Sequence, residues 1–213
     1  MSAVKESPEH IDVAPLVIQA AGNVRNTLHR SPLWKRMEDG SLPFAGRASY
    51  LEQHWEGLRV LRNGLDELEG GVELARMREV LAETVQNMGE ALDKSHATAR
   101  WREHHVTMPS MLQFRRRVNE MQEAGDVVSL IAHSAIRLAA VGACPVASAS
   151  GLSIPAITVV CDEEQEELFA EELSAALILL LAHGSDVCRA YQGQEQERTC
   201  ATTAAMIRNS LRS

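Results

Sequence analysis

Outside residues 143–160, apolar residues in this chain return at intervals of three and four, and no stretch alternates convincingly at period two. Such spacing lays apolar side chains along one stripe of an α-helix, whereas a half-buried strand would show every second residue apolar. The pattern predicts a first helix from a cap at Asp12 to about His29, with Pro15 in its opening turn and Val17, Ala21, Val24 and Leu28 as its stripe. Ser31-Pro32 opens a short helix stopped at Gly40, and a long helix follows from Phe44 to Leu68 with Tyr50, Trp55, Leu58 and Leu61 on its buried side. Gly70-Gly71 separates this from a helix over 72–97, and Trp101 to Thr107 reads as a connector. Residues 109–142 read as two helices around a Gly125-Asp126 turn. Asp162 with Glu163 and Glu164 starts a helix that runs to about Tyr191, the carboxylates favouring the positive end of its dipole.

These elements predict one all-α domain over 1–213, a bundle of about seven helices. Residues 1–11 read as a flexible N-terminus, and 192–213 as a polar hinge and tail helix. An apolar content of 45% in 213 residues supports one substantial core. With 29 acidic against 21 basic residues, the net charge of −8 argues against nucleic acid as a partner, since that binding rests on many Lys and Arg contacts to phosphate. The polar N-terminus lacks signal-peptide character, and the apolar run Leu173–Ala182 is shorter than the roughly 20 residues that span a bilayer, so no membrane is expected. Cys144, Cys161, Cys188 and Cys200 have no CxxC or zinc-type spacing and read as free thiols, consistent with a cytoplasmic chain.

Three blocks carry a family resemblance. Ser31 to Leu61 contains a Gly40-x-Leu42 turn followed by Glu52-Gln53 and Trp55. Pro109 to Arg137 ends in Leu-Ile-Ala-His-Ser-Ala-Ile-Arg, and Asp162 to Leu177 reads Asp-Glu-x-x-Glu-x-Leu-x-x-Glu-x-x-x-Ala. In order and spacing they resemble the heme oxygenases. The resemblance implies a heme-oxygenase-like helical bundle with a tetrapyrrole slot between its first helix and the helix that ends near residue 142.

The family's chemistry needs a neutral histidine on heme iron, close-packed glycines on the opposite side and a distal Asp that organises water. Carried over by position, the axial histidine falls on Arg25, which stays protonated and has no lone pair for iron. The distal Asp falls on Val141 and the glycines on Cys144 and Pro145. Arg137 is retained, while its flanking tyrosines become Ala135 and Leu138, and an asparagine of the last core helix becomes Leu180. The stretch between Val141 and Asp162 is shorter than its family counterpart. The resemblance therefore implies a degenerate relative, a pseudo-enzyme with no catalytic residues and no cofactor, acting as a ligand-binding or protein-interaction module. Ile18, Gly22, Arg25, His29, Arg137, Val141 and Cys144 would line its slot, and Val141, Cys144 and Pro145 would make that slot narrower than a heme needs. Arg25 is expected to meet a carboxylate, carbonyl or anionic ligand.

Two alternatives stay open. His29 lies one turn beyond Arg25, so a heme displaced by about 5.4 Å could take it as its metal ligand, with Cys144 as a thiolate candidate. The chain would then be a heme-binding protein or an oxidoreductase converting heme to biliverdin. A diiron oxidase is the second alternative: Glu52, His54, Glu56, Glu103, His133 and His183 are available, but none forms a Glu-x-x-His run. His133 is expected to make a structural hydrogen bond, and His104-His105 and Arg115-Arg116-Arg117 to face solvent. Cys200, Ala204, Ile207 and Leu211 form a tail stripe that packs either on the bundle or on a second subunit, which would make a homodimer.

Overall fold

The computed structural model describes residues 11–69, 72–144 and 160–193, and these described residues form eight helices. The first ten residues, most of the 143–160 connector including Pro145, and the stretch expected to form a tail helix with its stripe lie outside the described residues. The helices are α1 (Ala14–Arg30), α2 (Pro32–Glu38), α3 (Phe44–Asp66), α4 (Val72–His96), α5 (Trp101–His104), α6 (Pro109–Glu123), α7 (Val127–Ala143) and α8 (Glu163–Ala190). The fold is an all-α bundle, as the periodicity predicts. The expected connector at 101–107 contains the one-turn α5, held by Trp101 packed at the edge of Trp55 and donating from Nε1 to Asp93 at 2.8 Å.

One start signal is displaced. Asp12 does not cap α1; the cap position is Val13 and has no side-chain bond. Ile11 and Asp12 (β1) instead pair antiparallel with Val160 and Cys161 (β2), Ile11 opposite Cys161 and Asp12 opposite Val160. This pairing commits the Asp12 backbone to a ladder one residue before the helix begins.

Elsewhere the caps follow chemistry. Ser31 accepts from the Trp34 amide at 3.3 Å while Pro32 fills N1 of α2, a place where its missing N–H costs nothing. Gly125 has φ +68°, and the Asp126 amide reaches back to the Met121 carbonyl at 2.8 Å, closing α6 with a left-handed residue. Asp126 then caps α7 by accepting from the Ser129 amide at 3.0 Å. Asp162 and Gln165 form a reciprocal capping box at the start of α8.

α7 is the axis of the bundle. Every residue from Ser129 to Val141 is buried, so this helix is enclosed on all sides by α1, α3 and α8. The core runs continuously from Val17, Val24 and Leu28 of α1 through Leu58, Leu61 and Leu65 of α3 to Phe169, Leu173 and Leu180 of α8. α8 is long and apolar enough by length and composition to cross a bilayer, although the Leu173–Ala182 run alone is not. Here it packs against α2, α3, α6 and α7.

Candidate functional site

Successive residues of a helix are rotated by about 100°, so α7 presents different residues to its two long neighbours. Ala139 and Gly142 face α1 across an open cleft of about 490 Å³, whose other wall is Ile18, Ala21, Gly22, Arg25 and Asn26. Gly22 and Gly142, with Ala21 and Ala139, keep the floor low. Ile18 is 74% exposed and forms an apolar rim. Arg25 is exposed and forms no ion pair or hydrogen bond with any described residue. Of the partners expected for Arg25, no carboxylate or carbonyl of the described residues meets it, which leaves an anionic ligand. No described residue lining the cleft is a histidine, cysteine or carboxylate.

The seven residues expected to share one slot are thus divided by α7. Ile18, Gly22 and Arg25 border the cleft. Arg137, Val141 and Cys144 lie about three and four residues apart on the opposite face and are buried, with 3%, 1% and 0% exposure. Val141 and Cys144 do not narrow the cleft, because they point into the core. His29 is half exposed, stands against the Trp34 ring at 5.1 Å and pairs through Nδ1 with Glu38 at 3.3 Å. It is turned toward α2 rather than toward the cleft lining. The transferred family positions Ala135, Leu138 and Leu180 are all buried core residues.

Behind Arg137 lies a polar cluster inside the bundle. Tyr50 and His54, one turn apart on α3, and His183 of α8 form a triangle of rings. Tyr50 is 4.5 Å from His54 and 5.4 Å from His183, and the two imidazoles stack at 5.0 Å. The Arg137 guanidinium sits 4.2 Å from the Phe114 ring and against the α3 backbone at Gly57, where a Cβ would come within 2.5 Å of Nη1. The Tyr50 hydroxyl, both ring nitrogens of His54 and His183, and Nη1 of Arg137 are buried without a hydrogen-bond partner. Burial, followed by the charges of His183 and Arg137, holds His54 well below the ordinary imidazole range. Burial and then Arg137 do the same to His183, against a smaller opposing pull from the Tyr50 main chain. Both rings are therefore neutral at pH 7. Burial also pulls Arg137 down to about 10, which leaves it charged at pH 7, and raises Tyr50 so that it keeps its proton.

A second cluster ties the 105–108 connector to α3. His105 contacts Glu52 through Nδ1 at 3.2 Å and Glu56 through Nε2 at 2.5 Å. Glu56 also accepts from Thr107 at 3.1 Å and pairs with Arg115 at 3.4 Å. His96 Nε2 lies 2.8 Å from Glu52, off the line a hydrogen bond requires. The Gln53 amide donates to the Val106 carbonyl at 2.8 Å and accepts from the Met108 amide at 2.9 Å. Both His105 and Arg115 were expected at the surface. Arg115 is half exposed, but His105 is buried between two carboxylates that one helical turn places side by side. Among the described residues no group of three His, Cys, Asp or Glu side chains is arranged to hold a metal ion.

His133 makes the structural contact expected of it: its Nε2 lies 2.7 Å from Glu172, which Arg117 also engages. Asp186 of α8 accepts from the Ser110 amide at 2.8 Å and so supplies the cap that the first turn of α6 lacks. A second groove, of about 430 Å³ and mainly apolar, runs between α1, α2 and α8 past Leu28, Pro32, Leu33, Leu180 and Leu181.

Tyr50, His54 and His183 had a legible signal that family transfer passed over. Each occupies a position on an apolar helical stripe, as in Phe169, Leu173, Ala176, Leu180, His183 and Val187 of α8. Compared with known proteins, the chain matches no family model and no curated protein.

Proposed function

We propose that this chain is a degenerate heme-oxygenase-like bundle that binds an amphipathic, planar carboxylate, with a tetrapyrrole as the leading ligand class, and does not cleave heme. The observation that carries this reading is the α1–α7 cleft, at the place where the resemblance puts the family's slot. Its floor of Gly22, Ala139 and Gly142 leaves room for a flat ligand against backbone. Ile18 offers apolar contact and Arg25 a hydrated cation able to meet a carboxylate at the rim.

Heme iron does not fit this lining. The described cleft residues include no imidazole or thiolate for the iron and no carboxylate to organise water. The chemistry the cleft supports is recognition: apolar burial of a ring system and charge pairing at one edge.

The test is a titration of the full chain with biliverdin, protoporphyrin IX and heme, followed by absorbance and by quenching of the tryptophans. The expected result is saturable binding weakened about three- to tenfold by Arg25→Glu, the range of one partly exposed charge contact. Heme with reductant and dioxygen should yield no biliverdin above background. Steady conversion to biliverdin, or no saturable binding of any of the three, would remove this reading.

A further inference from the structure

We propose that the cluster of Tyr50, His54, His183 and Arg137 is a binding site for a small monovalent anion of halide to nitrate size, seated on the Arg137 guanidinium inside the bundle. It lies on the face of α7 away from the cleft and stands independently of what the cleft binds.

The inference starts from an uncompensated charge. Arg137 is 3% exposed, yet no carboxylate of the described residues forms an ion pair with it. A buried guanidinium with no counter-charge costs several kcal/mol, and the face of Phe114 offsets only part of that. Glu56 is the carboxylate whose field reaches Arg137, but its oxygens are taken by His105, Thr107 and Arg115. Arg137 cannot move toward α3 either, because its guanidinium already rests on the backbone at Gly57.

The remaining groups around it are donors in need of an acceptor. The Tyr50 hydroxyl, the one N–H of neutral His54 and Arg137 Nη1 are buried and unpartnered, while His183 leans on the Tyr50 main chain. The rings of Tyr50, His54 and His183 lie 4.5 to 5.4 Å from one another, and the Arg137 charge is felt at all three. Buried orphan donors this close together are unusual, since interior polar groups are nearly always paired. Water could take up the hydrogen bonds but would leave the Arg137 charge without a counter-charge. A metal cation would be repelled by that same charge. A single small anion satisfies these donors and the charge together.

Bromide serves as the probe, because its anomalous scattering separates it from water. The full chain is unfolded by heat in sodium bromide and in sodium gluconate at equal ionic strength, and crystals grown in bromide are measured at the bromine absorption edge. The expected outcome is a midpoint that rises saturably in bromide by about 2–8 °C over gluconate. The expected anomalous peak lies within hydrogen-bonding distance of Arg137. Arg137→Met should abolish both effects, and Tyr50→Phe, which keeps the ring and so the packing, should weaken bromide at least threefold. Equal wild-type midpoints in the two salts, a cluster holding only water, or a bromide response unchanged in Tyr50→Phe would each overturn the proposal. The wild-type and Tyr50→Phe measurements decide it even if Arg137→Met does not fold.

Discussion

His105 and Glu56 meet at 2.5 Å between Nε2 and Oε2, joining the connector after α5 to the middle of α3. Burial alone would push the imidazole down, but hydrogen bonds to Glu52 and Glu56 outweigh it and raise His105 to about 9. A histidine raised on folding contributes stability that is complete below its unfolded value near 6.5 and is lost as pH rises toward 9. His105→Gln should therefore destabilise the protein at pH 6 by about 1–2 kcal/mol, the range of a hydrogen bond to a charged partner. The difference from wild type should shrink by pH 9.5. Urea unfolding across that range measures it, and a pH-independent difference would show that the contact carries no charge.

The His133–Glu172 contact predicts the opposite pH dependence. His133, opposed by burial and helped by Arg117, holds the Glu172 carboxyl below its ordinary range. A carboxylate depressed on folding stabilises above its unfolded value near 4.5, and that contribution disappears as pH falls through the folded one. Glu172→Gln should cost about 1–2 kcal/mol at pH 7. Its unfolding midpoint in urea should converge on the wild-type value as pH falls below 4.5, whereas a gap that widens in acid would contradict the assignment.

Two glycines of similar surroundings on paper should respond differently to one added methyl group. At Gly57 a Cβ would stand 2.5 to 2.7 Å from three atoms of the buried Arg137 guanidinium, which is held against the Phe114 ring. At Gly89 it would meet Arg102 Nη2 at 2.8 Å, but that arginine is one-third exposed and can swing outward. Gly57→Ala should lose about 1–3 kcal/mol through overpacking, and Gly89→Ala less than about 1 kcal/mol, the helix propensity of alanine offsetting part of the contact. Equal losses in thermal unfolding would mean that Arg137 is free to move.

The all-α fold was readable because helix periodicity is a local property. Caps at Ser31, Asp126 and Asp162, and the glycine turns at Gly40 and Gly125, act through side chains within a few residues of the backbone they serve. Asp12 shows the limit. Its local signal for a cap is sound, but pairing with Val160, distant in sequence, overrides it. The same limit applies to the candidate site. Ile18, Gly22 and Arg25 share one helix face by spacing, and they do border one cleft. Nothing within α7, however, tells which of its faces looks at α1, and Arg137, Val141 and Cys144, which the resemblance puts in the slot, lie on the face away from it. His105 was hidden for a related reason: its burial depends on Glu52 and Glu56, about fifty residues away, and not on its own neighbours.

Arg25 and His29 give the sharpest contrast for the function proposed. Spacing places them one turn apart, yet Arg25 borders the cleft opposite Ala139 and Gly142 while His29 turns to Glu38 and Trp34 of α2. Arg25→His should thus set a neutral imidazole beside the cleft, where iron of an added heme can take it as a ligand. A tightening of at least about tenfold, equivalent to about 1.4 kcal/mol, is expected together with the Soret band of histidine-ligated heme. His29→Ala should leave the heme spectrum of the otherwise unchanged chain as it was and cost less than about 1 kcal/mol of stability, its pair with Glu38 being half exposed. Loss of a well-formed Soret band in His29→Ala would transfer the ligand role to His29 and remove the non-catalytic reading of the cleft.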